Sequence, residues 1–346
     1  MMANPLADDL DHILEHTEGL WEELRGNRIF LTGGTGFFGC WLLESFLWAN
    51  ERLHLGAAAT VLTRDPASFR AKAAHLAENR AVTLPGGDVR SFAYPDGGFS
   101  HVIHAATDSA IVPSATEITS TIVEGTEHVL AFADHANCGK FLFTSSGAVY
   151  GMQPPEMSHM CEDSGGWPAP LHPSTPYGEA KRVAEAKCQA AQAADFETKI
   201  ARCFAFVGPY MNLNVHFAIG NFLRDQMRGG PIIVKGDGRA VRSYLYASDL
   251  AIWLWTILFR GPSGRAYNVG SEDAISIGEL ARFIGSHVDP AVDVRIDGSP
   301  SSASGPRYVP STERARGELA LEQWVGLEEA VRKTRRWFVL TQPEGT

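Results

Sequence analysis

A doubly wound α/β fold around a parallel sheet is what this sequence predicts, and three observations carry the expectation. Short apolar runs of strand length alternate with longer segments whose apolar residues recur at helical spacing, as far as Phe204. A glycine-rich turn follows the first of those runs directly. The chain, 346 residues with 45% hydrophobic residues, is long enough to bury a large core. Strands that alternate with helices imply parallel neighbours joined by right-handed crossovers.

Residues 6–24 carry Leu6, Leu10, Ile13, Leu14, Leu20 and Trp21 among acidic residues. That spacing predicts one amphipathic helix packed on the body of the protein, with a dimer contact as the alternative. Strands are predicted at 28–32, 58–63, 101–104, 140–144 and 199–204, and helices after the glycine turn, over 118–135 and over 177–193. Beyond Gly208-Pro209 the alternation loosens, and Pro, Gly and Ser gather around 229–231, 261–264 and 299–306. The expected organisation is an N-terminal helical extension (1–26), a dinucleotide-binding unit (27–209, with 240–270 returning to it), a smaller substrate-binding region (210–338) and a tail (339–346).

The formal charge of −10 argues against general affinity for nucleic acid. The five cysteines stand at no metal-ligand or redox spacing, so neither a metal site nor a disulfide framework is expected. Residues 1–11 lack the basic and apolar runs of a signal peptide, and no apolar stretch is long enough to span a bilayer. A cytoplasmic protein without membrane partners is the resulting expectation.

Gly34, Gly36 and Gly39 satisfy Gly-x-Gly-x-x-Gly, and Gly33, Gly36 and Gly39 give a second reading of the same turn. A strand before it and an apolar helix after it are the context in which such a turn cradles a pyrophosphate on backbone N–H groups. A P-loop is excluded, because no Gly-Lys-Ser/Thr follows.

Tyr177-Gly178-Glu179-Ala180-Lys181 puts a phenol and an ammonium on one helix face, where the lysine charge favours the phenolate. Such a tyrosine can exchange a proton with a substrate hydroxyl or carbonyl. The spacing alone usually means a solvated face. Ser145-Ser146, at the end of a predicted strand where α/β sheets gather ligand contacts, raises its value.

Taken together, Thr32-Gly33-x-x-Gly36-Phe37-x-Gly39, His104-Ala105-Ala106, Thr144-Ser145-Ser146-x-x-Val149-Tyr150-Gly151 and Tyr177-x-x-x-Lys181 resemble the ordered motifs of the extended short-chain dehydrogenase/reductases. More narrowly, the chain resembles their nucleotide-sugar epimerase/dehydratase branch. Arg202, Gly208-Pro209, Gly236-Asp237-Gly238, Arg242-Ser243-Tyr244-Leu245-Tyr246, Asp249, Tyr267-Asn268-Val269-Gly270 and Trp337 continue the match, over about residues 27 to 338.

The resemblance implies a Rossmann-like fold, an NAD or NADP cofactor and a nucleotide-sugar substrate. It makes Tyr177 the general acid or base, Lys181 its partner and a ribose ligand, and Ser146 the group that orients the substrate oxygen. Gly33, Gly36, Phe37, Phe38, Gly39, Arg64, Asp88, Val89, Ala105, Ala106 and Phe204, with Tyr177 and Lys181, are expected along the cofactor. Arg242, His216, Phe217 and Ser146 are expected against the substrate. A homodimer is expected through the helices over 118–135 and 177–193.

Four departures qualify this picture. Sugar 4,6-dehydratases carry Asp-Glu immediately after the Ser/Thr, and UDP-glucuronate decarboxylases a Glu in that stretch, where this chain has Gly147-Ala148. Dehydration and decarboxylation are thereby disfavoured, and epimerisation or 4-keto reduction is left. Ala205 replaces a substrate-contacting Asn, and Lys235 an aromatic that packs on the base. After the second strand stands Thr63-Arg64-Asp65, without the acid that usually binds the ribose of NAD. Arg64 favours NADP; Asp65 reaching the ribose of NAD is the alternative. Reduction of a non-sugar small ketone, or nucleotide-sugar dehydration, is the competing function.

Overall fold

The computed structural model describes residues 4–107, 114–164, 176–191, 196–215, 217–299 and 305–341. Six strands, β1 (Arg28–Thr32), β2 (Ala58–Leu62), β3 (Val82–Thr83), β4 (His101–His104), β5 (Lys140–Ser146) and β6 (Glu197–Cys203), join strand Ala266–Val269 in one sheet. From one edge the order is Ala266–Val269, β6, β5, β4, β1, β2, β3, and every pairing is parallel. The strand order therefore reverses between β1 and β4, which sets a crevice at their carboxyl ends.

Helices α1 (Ala7–His16), α2 (Phe37–Arg52), α3 (Pro66–Lys72), α4 (Ala74–Ala77), α5 (Ala115–His135) and α6 (Pro176–Ala190) precede and link these strands. Their starts are locally encoded. Asp65 accepts the Ser68 N–H at the head of α3, with Pro66 in its first turn, and Ser114 accepts the Glu117 N–H at the head of α5. The later helix Ala247–Arg260 is buried on every side from Ala247 to Phe259, because α1, α2, β5 and β6 all pack against it.

Residues 6–24 are not one helix. α1 ends at His16, and a short 3₁₀ turn covers Trp21–Leu24. The break has a local cause: Thr17 Oγ1 donates back to the Ile13 carbonyl and accepts from Trp21 Nε1 at 2.8 Å, while Gly19 adopts φ +76°. α1 lies on the body of the protein, where Asp9 accepts Tyr246 Oη at 2.8 Å and Lys333 Nζ at 2.6 Å.

Past β6 the chain builds small sheets. Phe206–Val207 pairs with Leu245–Tyr246, and Ile232–Val234 with Val294–Ile296. A third sheet places Val241–Arg242 between Ile275–Ser276 and Arg307–Tyr308, with Tyr308 in register with Arg242. Among the described residues no helix is long and apolar enough to cross a membrane.

Candidate active site

The glycine turn lies at the reversal of strand order. Gly33 has φ +70°, and a Cβ there would stand 2.4 Å from the Ala105 carbonyl oxygen, so only glycine lets the ends of β1 and β4 approach this closely. Ala105 N and Ala106 N donate to the carbonyl and hydroxyl of Thr32. Gly39 packs equally tightly on Gly34. Gly36 heads α2 with no side-chain cap, so the first N–H groups of that helix have no side-chain partner there. Phe37 and Phe38 open the helix half-buried, and Phe38 meets Phe206 edge-on at 5.0 Å. Close backbone approach with an uncapped helix start fits a dinucleotide pyrophosphate.

His104 holds the crevice floor through its ring. Nδ1 lies 2.7 Å from Thr32 Oγ1 and Nε2 lies 3.1 Å from Thr126 Oγ1. Burial pushes its pKa down to about 3, so the ring is neutral.

At the end of β2, Asp65 is committed to capping α3, its Oδ1 accepting Ser68 N at 2.9 Å. Arg64 helps lower the pKa of Asp88, whose carboxylate is gripped chiefly by Arg90 through contacts of 2.7 and 2.8 Å and held at about 2. Val89 is buried against Gly125 of α5, where a Cβ would be only 2.8 Å from Val89 Cγ1.

The proposed reacting groups come together beyond β5. Ser146 is its last residue, Tyr177 and Lys181 stand one helical turn apart on α6, and the Ser146 hydroxyl is near enough to act on the Tyr177 phenol. Lys181 Nζ donates to Thr107 Oγ1 at 2.9 Å and to the Thr144 carbonyl at 2.8 Å. The expected lowering of the tyrosine pKa by lysine is not what the structure gives. Burial pushes Tyr177 up to about 12, opposed by the Ser146 hydroxyl, and burial pushes Lys181 down to about 8. The ammonium is 5.9 Å from the Tyr177 ring centroid and spends its bonds elsewhere, so desolvation wins.

Beneath these residues runs a buried polar network. Arg202 pairs with Glu185, Nη2 to Oε2 at 2.8 Å, and donates to Tyr150 Oη at 2.9 Å. Ser145 Oγ donates to Glu185, and Tyr150 Oη to Asn268 Oδ1 at 2.7 Å. Glu162 accepts Asn268 N at 2.8 Å and faces Arg314.

Arg242 reaches the same neighbourhood, with its guanidinium 5.9 Å from the Tyr308 ring centroid and Nη1 donating to the carbonyls of Val241 and Pro306. Phe204 packs on Tyr308 at 4.6 Å between centroids. Phe217 is largely exposed at the head of helix Ala218–Met227, and His216 lies outside the described residues.

Thr107 and Tyr308 escaped the sequence reading. Thr107, which anchors the lysine, directly follows His104-Ala105-Ala106, and that adjacency is its one sequence signal. Tyr308 had no such signal, since it is 162 residues from Ser146 and arrives on a separate small sheet.

Known proteins resemble this chain in sequence and in fold. The chain is 28% identical over 317 residues to UDP-glucuronic acid decarboxylase 1 of Xenopus tropicalis, covering 90% of this chain and 72% of that protein. It is 25% identical over 321 residues to dTDP-glucose 4,6-dehydratase of Streptomyces niveus, covering 90% and 92%. Among solved structures, dTDP-glucose 4,6-dehydratase of Streptomyces venezuelae with NAD bound aligns with a TM-score of 0.76 at 24% identity, over 91% of this chain and 97% of that one. UDP-glucuronic acid 4-epimerase of Bacillus cereus in complex with NAD aligns with a TM-score of 0.75 at 19% identity, over 90% and 96%. At these identities the structural likeness establishes the fold. The family model for the NAD dependent epimerase/dehydratase family matches residues 29–270, and the chain belongs to that family.

Proposed function

We propose that this protein transfers hydride at a hydroxyl or keto carbon of a nucleotide-linked sugar, as an epimerase or a 4-ketoreductase. The observation that carries the reading is the convergence of Ser146, Tyr177 and Lys181 at the carboxyl end of β5, two strands from the glycine turn of β1. The relatives' names support a nucleotide sugar, and Arg242, beside Tyr308, supplies a planar cation suited to its diphosphate.

Gly33, Gly36, Gly39, Ala105 and Ala106 would hold the dinucleotide, with Phe37, Phe38, Asp88, Val89 and Phe204 along it and Lys181 at its ribose. Its nicotinamide would supply the hydride acceptor or donor. The chain's own part is proton handling. Ser146 Oγ orients the substrate oxygen, and Tyr177 gives a proton to that oxygen as a carbonyl becomes a hydroxyl. In the other direction Tyr177 takes the proton back, aided by the nearby Ser146 hydroxyl. A phenol held near 12 is protonated at neutral pH and starts ready to donate.

Relatives named as dehydratases and decarboxylases raise the competing chemistry, which needs a further acid or base. Gly147 and Ala148 offer none, and the buried acids nearby, Glu185 and Glu162, are committed to Arg202, Asn268 and Arg314. For the adenosine end we favour NADP, because Asp65 is engaged in capping α3 and Arg64 precedes it where an arginine can accommodate a 2′-phosphate. Arg64→Ala should weaken NADPH binding at least tenfold and NADH binding little, a loss on the scale of one charge-assisted contact. Equal weakening of both would leave NAD as the cofactor. A homodimer through α5 and α6, which pack on one another, completes the reading and is checked by light scattering.

Mass spectrometry of copurifying small molecules, followed by turnover assays with UDP-, dTDP-, GDP- and CDP-sugars and their 4-keto forms, tests the function. A 4-epimer or a newly formed 4-hydroxyl supports it. A 4-keto-6-deoxy product or loss of CO₂ overturns it.

A further inference from the structure

One lysine ties the glycine turn to the helix that follows β2. Lys72 is the last residue of α3, and its Nζ donates to the Thr35 carbonyl at 2.8 Å. The turn follows β1 and α3 follows β2. Those strands are parallel neighbours with Thr32 in register with Leu62, so this exposed side chain bridges the gap between their carboxyl ends. In doubly wound sheets that gap receives the adenosine ribose, whose 2′-position meets the side chains standing there.

The ammonium is poorly placed for a purely structural contact. The Thr35 carbonyl also accepts the Cys40 thiol from the start of α2, which puts the lysine charge beside that helix start. A helix start is itself positive, so a cation there is unfavourable unless an anion joins it. The first turn of α2 carries no acidic residue. The acids of the adjoining segments are engaged elsewhere: Asp65 by the Ser68 N–H, Glu44 by His75 and Tyr210, and Asp88 by Arg90. An ammonium has three N–H groups, and the Thr35 carbonyl takes one. We infer that Lys72 is a cofactor-binding residue: anchored on the glycine turn, it joins Arg64 in holding the 2′-phosphate of NADP. This rests on the NADP reading proposed above. A 2′-phosphate neutralises the ammonium and the helix start together, whereas the 2′-hydroxyl of NAD leaves both charges unanswered.

Lys72→Gln keeps an N–H donor for Thr35 and removes the charge, so it separates phosphate binding from a mere staple. Calorimetric titration with 2′,5′-ADP and with 5′-ADP isolates the one phosphate at issue. Lys72→Gln should weaken 2′,5′-ADP about tenfold, the size of one charge-assisted contact, and 5′-ADP less than about twofold. Lys72→Arg, which keeps the charge, should retain most of the preference, and fluorescence titration with NADPH and NADH should repeat the split. Equal weakening of both probes by Lys72→Gln, or weakening of neither, would overturn the inference. If Arg64→Ala abolishes a preference for 2′,5′-ADP that Lys72→Gln leaves intact, the inference fails and the NADP reading stands. Equal binding of the two probes by the unaltered protein would overturn that reading and the inference with it.

Discussion

The two sides of this site are built by opposite means. At the β1–β4 crevice the surface is bare backbone: Gly33, Gly36 and Gly39 keep side chains away, and the chain of Ala105-Ala106 comes within contact of Gly33. Beyond β5 the surface is a packed set of hydroxyls and charges, with Ser146, Tyr177, Tyr308 and Lys181 above the Arg202–Glu185 pair. The difference teaches what each side is for. A bare backbone recognises phosphate, the same in every dinucleotide, through N–H groups that need no side chain. Proton transfer needs a particular atom at a particular distance, and that takes side chains held by other side chains.

Loss on the hydroxyl side should be the largest in rate. Tyr177→Phe is expected to lower kcat about 10²- to 10⁴-fold, the range for one general acid–base group, with dinucleotide affinity and the thermal midpoint unchanged. Steady-state kinetics beside a calorimetric scan would check it, and a lost midpoint would assign Tyr177 to the scaffold instead.

The support under the hydroxyls should matter most for stability. Glu185→Ala strands the Arg202 guanidinium in a buried place and removes the acceptor of Ser145, a change expected to cost about 3–5 kcal/mol in urea unfolding. Replacing only a surface pair such as Arg182–Glu179 should cost less than about 1 kcal/mol, and equal losses would mean the network is not load-sharing.

On the bare side, Gly33→Ala combines a left-handed φ with a Cβ 2.4 Å from the Ala105 oxygen, and should destabilise the fold by about 1–3 kcal/mol while abolishing dinucleotide binding. Gly36→Ala, whose Cβ would meet only the Gly33 oxygen at 3.3 Å, should leave the fold nearly intact. Fluorescence titration with NADPH and with NADH, beside thermal melts, separates the two.

This contrast also explains what could be read from the chain. The crevice was legible because its parts are contiguous: the turn at 33–39 and the His104-Ala105-Ala106 phrase lie next to the strands they end. Ser146 and the Tyr177–Lys181 pair were legible because each lies on one element with a fixed period. Tyr308 was not, since a two-residue strand carries no period of its own and its position depends on pairing with Val241–Arg242. The direction of the Tyr177 shift was misjudged for a related reason. Spacing on a helix shows that a lysine is near, but where its ammonium donates is decided by Thr107 and Thr144 on other segments. The single helix expected over 6–24 failed on one side chain, Thr17, turning back on its own backbone.

A further predicted effect is one of pH. His104 is neutral in the folded protein down to about pH 3, whereas in the unfolded chain it takes a proton near 6.5. Between those values the unfolded state binds more protons, so stability is full above about 6.5 and declines as pH falls. His104→Asn should flatten that decline in urea titrations from pH 7 to 4, and an unchanged slope would place the acid sensitivity elsewhere.

The central claim is hydride and proton exchange at one sugar carbon without elimination at its neighbours. Turnover in D₂O of the nucleotide sugar that the protein accepts, with the product analysed by NMR and mass spectrometry, tests it most directly. The account predicts a changed configuration or a new hydroxyl at C4 with no carbon-bound deuterium at C5 or C6. Deuterium at either carbon, or a 4-keto-6-deoxy product, would contradict it.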